Sequence, residues 1–290
     1  MHTVIRNPQA LWDALDEAGK ILISHQDRHR RGELKIQKKE DNSPVSEADI
    51  ESHRFLRQFL KEWTPSVPLL SEEDTPEERE EVTQEKNRFF WAMDPLDGTK
   101  GFLNLEPEYC IALVLFEEGS PIFSVLYAPA LQVLYFGARG EGSFKREKKG
   151  EFLPLKIDTQ TPLSLKDEPV FLKSRFHHAP KMQAMIERMK RGRILEMGST
   201  LKFGAIAEEK GHIYGRGGPV ALWDLAPGDA LVRFAMDPHG HVQSLYTSEV
   251  QPFLHYRPTQ ILYAPFILIS PRVPEAERIR NEFLNVNLRL

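Results

Sequence analysis

Cysteine is almost absent: Cys110 is the one thiol in 290 residues. A single thiol excludes internal disulfides and fits a reducing cytoplasm. Cys110 lies in the apolar run Tyr109–Phe116, where core packing is its expected role. No apolar run approaches the roughly 18 residues of a membrane span, so no integral membrane segment is expected. The stretch Met1-His2-Thr3-Val4-Ile5-Arg6 lacks an apolar signal core, so export is not expected either. Charge of one sign is not in excess. A net charge of −4 gives no general attraction to nucleic acid or to an anionic membrane. The basic stretch 25–39 has no interleaved aromatics for stacking on bases and reads as a solvated loop. No His/Cys set has zinc spacing. Gly137-Ala138-Arg139-Gly140-Glu141-Gly142 is glycine-rich but has neither dinucleotide-binding nor P-loop order, and reads as a turn. Internal repeats are not evident.

What is present is an ordinary globular composition, 41% hydrophobic and 28% charged, enough for a sizeable core. The length suits one large domain or two of about 150 residues. The most informative stretch is Phe89-Phe90-Trp91-Ala92-Met93-Asp94-Pro95-Leu96-Asp97-Gly98-Thr99. Its apolar start predicts a buried strand. The strand then delivers two acids to one sheet edge, where ligands of α/β folds bind. Pro95 stiffens the turn and Gly98 permits φ > 0. The amides of Gly98 and Thr99 are free to hold an anion. Taken alone, a D-x-x-D is an acidic turn in which Asp94 or Asp97 caps a helix.

The rest of the chain reads in order. Asn7-Pro8 opens an amphipathic helix with Leu11, Leu15, Ala18 and Leu22 inward. Ser46 and Asp49 form a capping box before a second helix carrying Phe55, Leu56, Phe59, Leu60 and Trp63. Pro68–Asp74 is a short strand ending in acids, and Glu77–Glu85 a solvated helix or flap. Tyr109–Glu117, Pro121–Tyr127 and Gln132–Gly137 form an antiparallel meander. A soft boundary falls in the Lys-rich segment Lys145–Lys156, dividing residues 1–155 from 156–290. The second half alternates strands and helices: strand Pro169–Lys173, helix Pro180–Lys190, helix Thr200–Lys210, strand His212–Tyr214, closing strand Pro258–Ser270 and helix Pro274–Phe283. Asp224 alone reads as an N-cap on a helix Leu225–Phe234.

The whole string Asp94-Pro95-Leu96-Asp97-Gly98-Thr99 resembles the signature of the inositol monophosphatase superfamily of metal-dependent, lithium-sensitive phosphatases. The D-x-D-G-T loop of aspartyl-nucleophile phosphatases spaces its acids differently. Pro44-Val45-Ser46-Glu47-Ala48-Asp49, Ser71-Glu72-Glu73 and Trp223-Asp224-Leu225-Ala226-Pro227-Gly228 resemble further family elements, with Pro227 where the family has a small residue. The resemblance implies an α/β (α+β) fold, a layered α-β-α-β-α sandwich with the site between its halves. It implies that Glu72, Asp94, Asp97, Asp224 and the Leu96 carbonyl hold two or three Mg²⁺ ions. All-oxygen ligands suit that ion. Metal-activated water would hydrolyse a phosphate monoester, oriented by Glu72 and Thr99, with Asp49 nearby. Leu96, Asp97, Gly98, Thr99 and Asp224 would also contact substrate.

Leu70–Asp74, Asp94–Phe102, Val125–Pro129, Gly198–Phe203 and Trp223-Asp224 together look like the CysQ-type branch, the 3′(2′),5′-bisphosphate nucleotidases, over residues 8–270. That branch removes the 3′-phosphate of adenosine 3′,5′-bisphosphate, a by-product of sulfate assimilation. Its substrate needs a second anion site, for which the resemblance offers His177, Ser199, Lys202 and Arg216. Read without it, Lys202 is a solvated helix lysine, while Arg216 and His177 are surface polar residues. The glycines around Arg216 depart from the branch's bulkier residues. Two alternatives stand beside this reading. One is an inositol monophosphatase or an NADP or sugar-phosphate phosphatase; the other is a non-catalytic metal- or nucleotide-binding protein. The partner is thus a small phosphorylated substrate, and a homodimer is compatible with the resemblance.

Overall fold

The computed structural model describes residues 5, 7–38, 44–84, 87–164, 166–176, 179–189, 191–243, 245–247 and 255–285. The first elements are α1 (Pro8–Arg30), β1 (Ile36–Lys38), β2 (Pro44–Ser46), α2 (Glu47–Trp63), β3 (Leu69–Ser71), α3 (Pro76–Gln84), β4 (Phe89–Asp97) and α4 (Thr99–Leu103). A meander follows in β5 (Cys110–Glu117), β6 (Ser120–Ala128), β7 (Val133–Ala138), β8 (Gly142–Glu147) and β9 (Leu153–Leu155). Then come β10 (Val170–Ser174), α5 (Pro180–Met189), β11 (Arg193–Met197), α6 (Leu201–Ala207), β12 (Ile213–Arg216), β13 (Val220–Ala221) and α7 (Leu222–Met236). The chain closes with β14 (Leu245–Thr247), β15 (Leu262–Tyr263), β16 (Phe266–Ile269) and α8 (Ala276–Asn285).

Strands β3 to β9 form one seven-stranded sheet in sequence order, antiparallel except for the parallel β3–β4 pair. A mixed five-stranded sheet has the order β11-β10-β12-β16-β14. Both sheets alternate with period two, yet both faces are apolar. In the first sheet, Trp91, Met93, Ile111, Leu113 and Leu115 face α1 and α2. Phe90, Ala92, Ala112, Val114 and Phe116 face the opposite way, into the core of α6 and α7. In the second sheet, Leu172, Tyr214, Phe266 and Leu268 join that same central core. Phe171, Ile213, Ile267 and Ile269 pack outward with α5 and α8. A sheet buried on both faces needs helices on both, and two such sheets sharing a helical layer give the order α-β-α-β-α.

Four expectations change. Helix α1 runs to Arg30, through residues read as loop, because tertiary contacts outweigh local polarity: His25 and Gln26 are buried, and the Gln26 amide donates to the carbonyls of Phe102 and Glu106. Its basic last turn also suits the helix dipole. The closing strand Pro258–Ser270 divides into β15, which pairs with β13, and β16, which pairs with β12 and β14. The Lys-rich segment 145–156 carries the end of β8 and all of β9. Helix α7 starts at Leu222, so Asp224 lies inside its first turn rather than capping it, and Pro227 sits in the second turn. Proline there leaves the Trp223 carbonyl without its helical donor.

Gly228 explains itself by packing. A Cβ there would come within 2.2 Å of the Phe203 ring where α6 crosses α7. Gly228→Ala gains about 1 kcal/mol of helix propensity, but overpacking a rigid core costs roughly 1–3 kcal/mol. Denaturant unfolding should therefore find G228A less stable than the wild type; a more stable variant would contradict this contact.

Candidate metal and phosphate site

The parallel pairing of β3 with β4 sets Ser71 beside Met93, and the Glu72 amide donates to the Met93 carbonyl at 3.0 Å. This puts Glu72 next to Asp94. The antiparallel ladder to β5 then slips: Asp94 pairs with Ala112 and Asp97 with Cys110, so β4 carries one extra residue. A bulge bends a strand and re-aims its side chains. The bulge is pinned from both sides. Asp94 Oδ1 accepts from the Leu96 amide at 2.9 Å, and Ser52 Oγ donates to the Pro95 carbonyl at 2.9 Å. Gly98 follows with φ +94°, opening α4, and a Cβ there would lie 3.1 Å from Ser199 Cβ and 3.2 Å from the Glu108 carbonyl. Only glycine fits that conformation in that space.

Asp224 arrives from the first turn of α7. Carboxylate oxygens of Glu72, Asp94 and Asp224 lie within 4.8 Å of one another. Burial pushes Asp94 well above the usual carboxylate range, and Glu72, Asp97 and Asp224 push it further. Burial, with Asp97 and Glu72, raises Asp224 to about 7, against the pull of Arg216, whose Nη1 is 3.3 Å from Asp224 Oδ2. Crowded acids of this kind fit a hard divalent cation such as Mg²⁺, whose charge would relieve their repulsion. Asp97 stands at the edge of the trio. Its Oδ2 accepts from the Thr200 amide, and the Cys110 thiol lies 3.7 Å away.

Asp49 closes the capping box read from the sequence and also meets Thr99. Oδ2 accepts from the Ser46 amide and hydroxyl in the capping box at the start of α2, while Oδ1 accepts from Thr99 Oγ1 at 3.2 Å. Thr99 Oγ1 is also 3.3 Å from the Leu96 carbonyl. Glu72, Asp94, Leu96, Asp97, Thr99 and Asp224 open on a cleft of about 540 Å³ whose walls include Phe176, Tyr214 and Trp223, with Asp49 buried behind Thr99.

Ser199, Lys202 and Arg216 line the same cleft. Lys202 is not a solvated lysine: it is 3% exposed, and burial lowers it to about 8. Its Nζ donates to the Ser199 carbonyl at 2.5 Å and sits over the Tyr214 ring. His177 lies outside the described residues. Cys110 is packed in the core as its sequence context implies, but its Sγ is also 3.7 Å from Ser199 Oγ.

Sequence reasoning missed Ser52, Thr200 and Glu108, whose side chain or amide holds these turns in place. Ser52 carried a signal, being a small polar residue one helical turn beyond Asp49 on the inward face of α2. A second cluster, His53, Asp74 and Glu78, lies behind β3. The Arg57 guanidinium joins its acids at 2.7 and 2.9 Å, and burial lowers His53 to about 4, leaving it neutral. His53 Nδ1 meets Ser71 Oγ at 3.0 Å, so this cluster props the strand that presents Glu72.

The inositol monophosphatase family model matches residues 9–236. The chain is 35% identical to the 3′(2′),5′-bisphosphate nucleotidase CysQ of Salmonella typhimurium over 198 residues, 68% of this chain and 76% of that protein. The solved structure of CysQ from Bacteroides thetaiotaomicron matches with a TM-score of 0.69 at 26% identity, covering 91% of this chain and 97% of that one. An inositol monophosphatase/NADP phosphatase complexed with Mg²⁺ and phosphate has the same fold, with a TM-score of 0.74 at 20% identity, covering 99% of this chain and 97% of that one.

The raised acids predict a pH-dependent cation effect on stability. Asp224 holds its proton up to about 7 in the folded chain but only to its ordinary range when unfolded. Its stabilising contribution without metal therefore falls as pH rises from about 4 to about 7. Added Mg²⁺ binds the ionised acids and should raise the unfolding midpoint clearly at about pH 8 and little at about pH 5. Thermal unfolding with Mg²⁺ and with EDTA at both pH values checks this; an equal shift at both would contradict it.

Proposed function

The chain belongs to the inositol monophosphatase family of metal-dependent phosphatases, and from that premise we propose that it removes the 3′-phosphate of adenosine 3′,5′-bisphosphate in a Mg²⁺-dependent hydrolysis. The observation that carries the hydrolytic part is the convergence of Glu72, Asp94 and Asp224 from three separate elements at one cleft. The choice of nucleotide is supported by the likeness to bisphosphate nucleotidases across 68% of the chain. The cations Lys202 and Arg216 on the same cleft also favour a substrate with a second phosphate.

Glu72, Asp94, Asp97, Asp224 and the Leu96 carbonyl are the proposed ligands of two or three Mg²⁺ ions. Bound there, the ions would supply a water of lowered pKa and offset charge on the phosphoryl and leaving oxygens. The Thr99 hydroxyl, whose hydrogen is donated to Asp49, orients the attacking water through its lone pairs, and the Glu72 carboxylate accepts the water's proton. Asp49 keeps that hydroxyl aimed through its 3.2 Å hydrogen bond. The turn at Gly98 and Thr99 offers its amides to the phosphoryl oxygens. Water oxygen bonds to phosphorus, the bond to the 3′ oxygen breaks, and that oxygen takes a proton from solvent to leave as a hydroxyl, while the proton held by Glu72 returns to solvent and resets the site. Ser199, Lys202, Arg216 and His177 are assigned to the rest of the nucleotide. Arg216 already neutralises part of Asp224's charge.

We read residues 1–155 and 156–290 as two halves closing on this site. The seven-stranded sheet ends at Leu155 and the five-stranded sheet begins at Val170, which supports that reading. A cytoplasmic location is proposed from the single thiol. No helix among the described residues is long and apolar enough to cross a membrane.

Steady-state kinetics with Mg²⁺ should give a kcat/KM for adenosine 3′,5′-bisphosphate more than about tenfold above that for inositol 1-phosphate, some 1.4 kcal/mol of transition-state binding. A smaller ratio would favour the inositol monophosphatase reading. Asp94→Asn should abolish nearly all turnover with the circular dichroism spectrum unchanged, and millimolar lithium should inhibit the wild type. Full activity in D94N would sink the mechanism.

A further inference from the structure

Segment 104–109, between α4 and β5, performs a task that no motif announces. The Glu108 carbonyl lies under two turns of the site. A Cβ on Gly198 would come within 2.6 Å of it, and one on Gly98 within 3.2 Å. Glu108 Oε2 accepts from the Gly198 amide at 2.7 Å. The same carboxylate is gripped by Arg175, just past the end of β10, with Nη1 3.0 Å from Oε2 and Nη2 3.3 Å from Oε1. Arg175 also reaches Glu106 and the Glu196 carbonyl. Glu108 thus ties the loop after α4 to both β10 and the turn before α6.

That turn needs holding. Ser199 has φ +50°, a left-handed conformation that a non-glycine residue adopts at a cost. Ser199 stands at the cleft wall, its carbonyl accepts from Lys202, and the next amide, Thr200, donates to Asp97. A turn that relaxed toward φ < 0 would move all three together.

We propose that Glu108 is a positioning residue for substrate binding: its carboxylate, accepting from the Gly198 amide, holds the Gly198–Thr200 turn in register with the Asp97–Thr99 turn. The proposal rests on the phosphatase reading but not on which monoester is cut. Glu108 touches none of Glu72, Asp94 and Asp224, so its truncation moves the wall that receives the substrate and reaches the proposed ligands only at Asp97, through the Thr200 amide.

The test is kinetics on the full chain with saturating Mg²⁺. Glu108→Ala should raise KM about fivefold or more and change kcat by less than about twofold. Glu108→Gln keeps an oxygen acceptor for the Gly198 amide and should restore KM to within about twofold of wild type. Equal impairment of E108A and E108Q overturns the proposal, as does an E108A variant that melts earlier with KM unchanged. If E108A does not fold, Glu108→Asp carries the test, because it keeps the charge but draws the carboxylate back from the Gly198 amide: a raised KM supports the proposal and an unchanged KM overturns it. Adenosine 3′,5′-bisphosphate is the first substrate. If the wild type turns over inositol 1-phosphate instead, the nucleotidase reading fails, and the Glu108 series is read on inositol 1-phosphate.

Discussion

Like charges crowded out of water are the constraint on which this structure depends. Three carboxylates whose oxygens come within 4.8 Å of one another, with Asp97 beside them, would separate if the chain let them. They are held together because each sits on an element that cannot move alone. Asp94 is on a strand paired on both sides and buried on both faces. Glu72 follows a strand braced from behind by His53. Asp224 is on the helix at the middle of the five layers, in contact with five strands of the large sheet, β4 to β8. Burial of that much apolar surface outweighs the local repulsion, and the repulsion in turn makes the site a strong receptor for cations.

The layering also decides where the cleft lies. The central helical layer belongs to both sheets, so the ends of β3, β4, β10 and β12 can open toward one another at its rim. Contacts across that rim are polar and directional. The Thr200 amide meets Asp97, the Gly198 amide meets Glu108, and Arg216 meets Asp224. A cleft bounded in this way can be polar on its floor and apolar on its walls.

Much of this was legible in the sequence, and the reasons are physical. The apolar strand before Asp94 and the Pro95–Gly98 turn announce themselves because strand burial and turn chemistry are local. Four acids, Glu72, Asp94, Asp97 and Asp224, could be nominated from their motifs, and the carboxylates of Glu72, Asp94 and Asp224 are the ones grouped within 4.8 Å. What stayed hidden was non-local. Nothing near Lys202 says that a lysine on a short helix will be buried over Tyr214. The polarity of residues 25–30 pointed to loop because the partners that make them helical, Phe102 and Glu106, lie far along the chain. The start of α7 was misplaced because Asp224 resembles a cap, whereas the capping position falls at Ala221 and the acid is needed inside the turn.

The start of α2 has a consequence of its own. Helix ends are where backbone amides open and exchange most readily, since their first donors have no partner within the helix. Here the same carboxylate closes that end and anchors the Thr99 hydroxyl. Fraying at Ser46 is therefore not a private event of one helix. Each opening of that first turn would loosen a hydroxyl in the cleft, so the slow breathing of a helix terminus and the order of the reaction centre share one equilibrium.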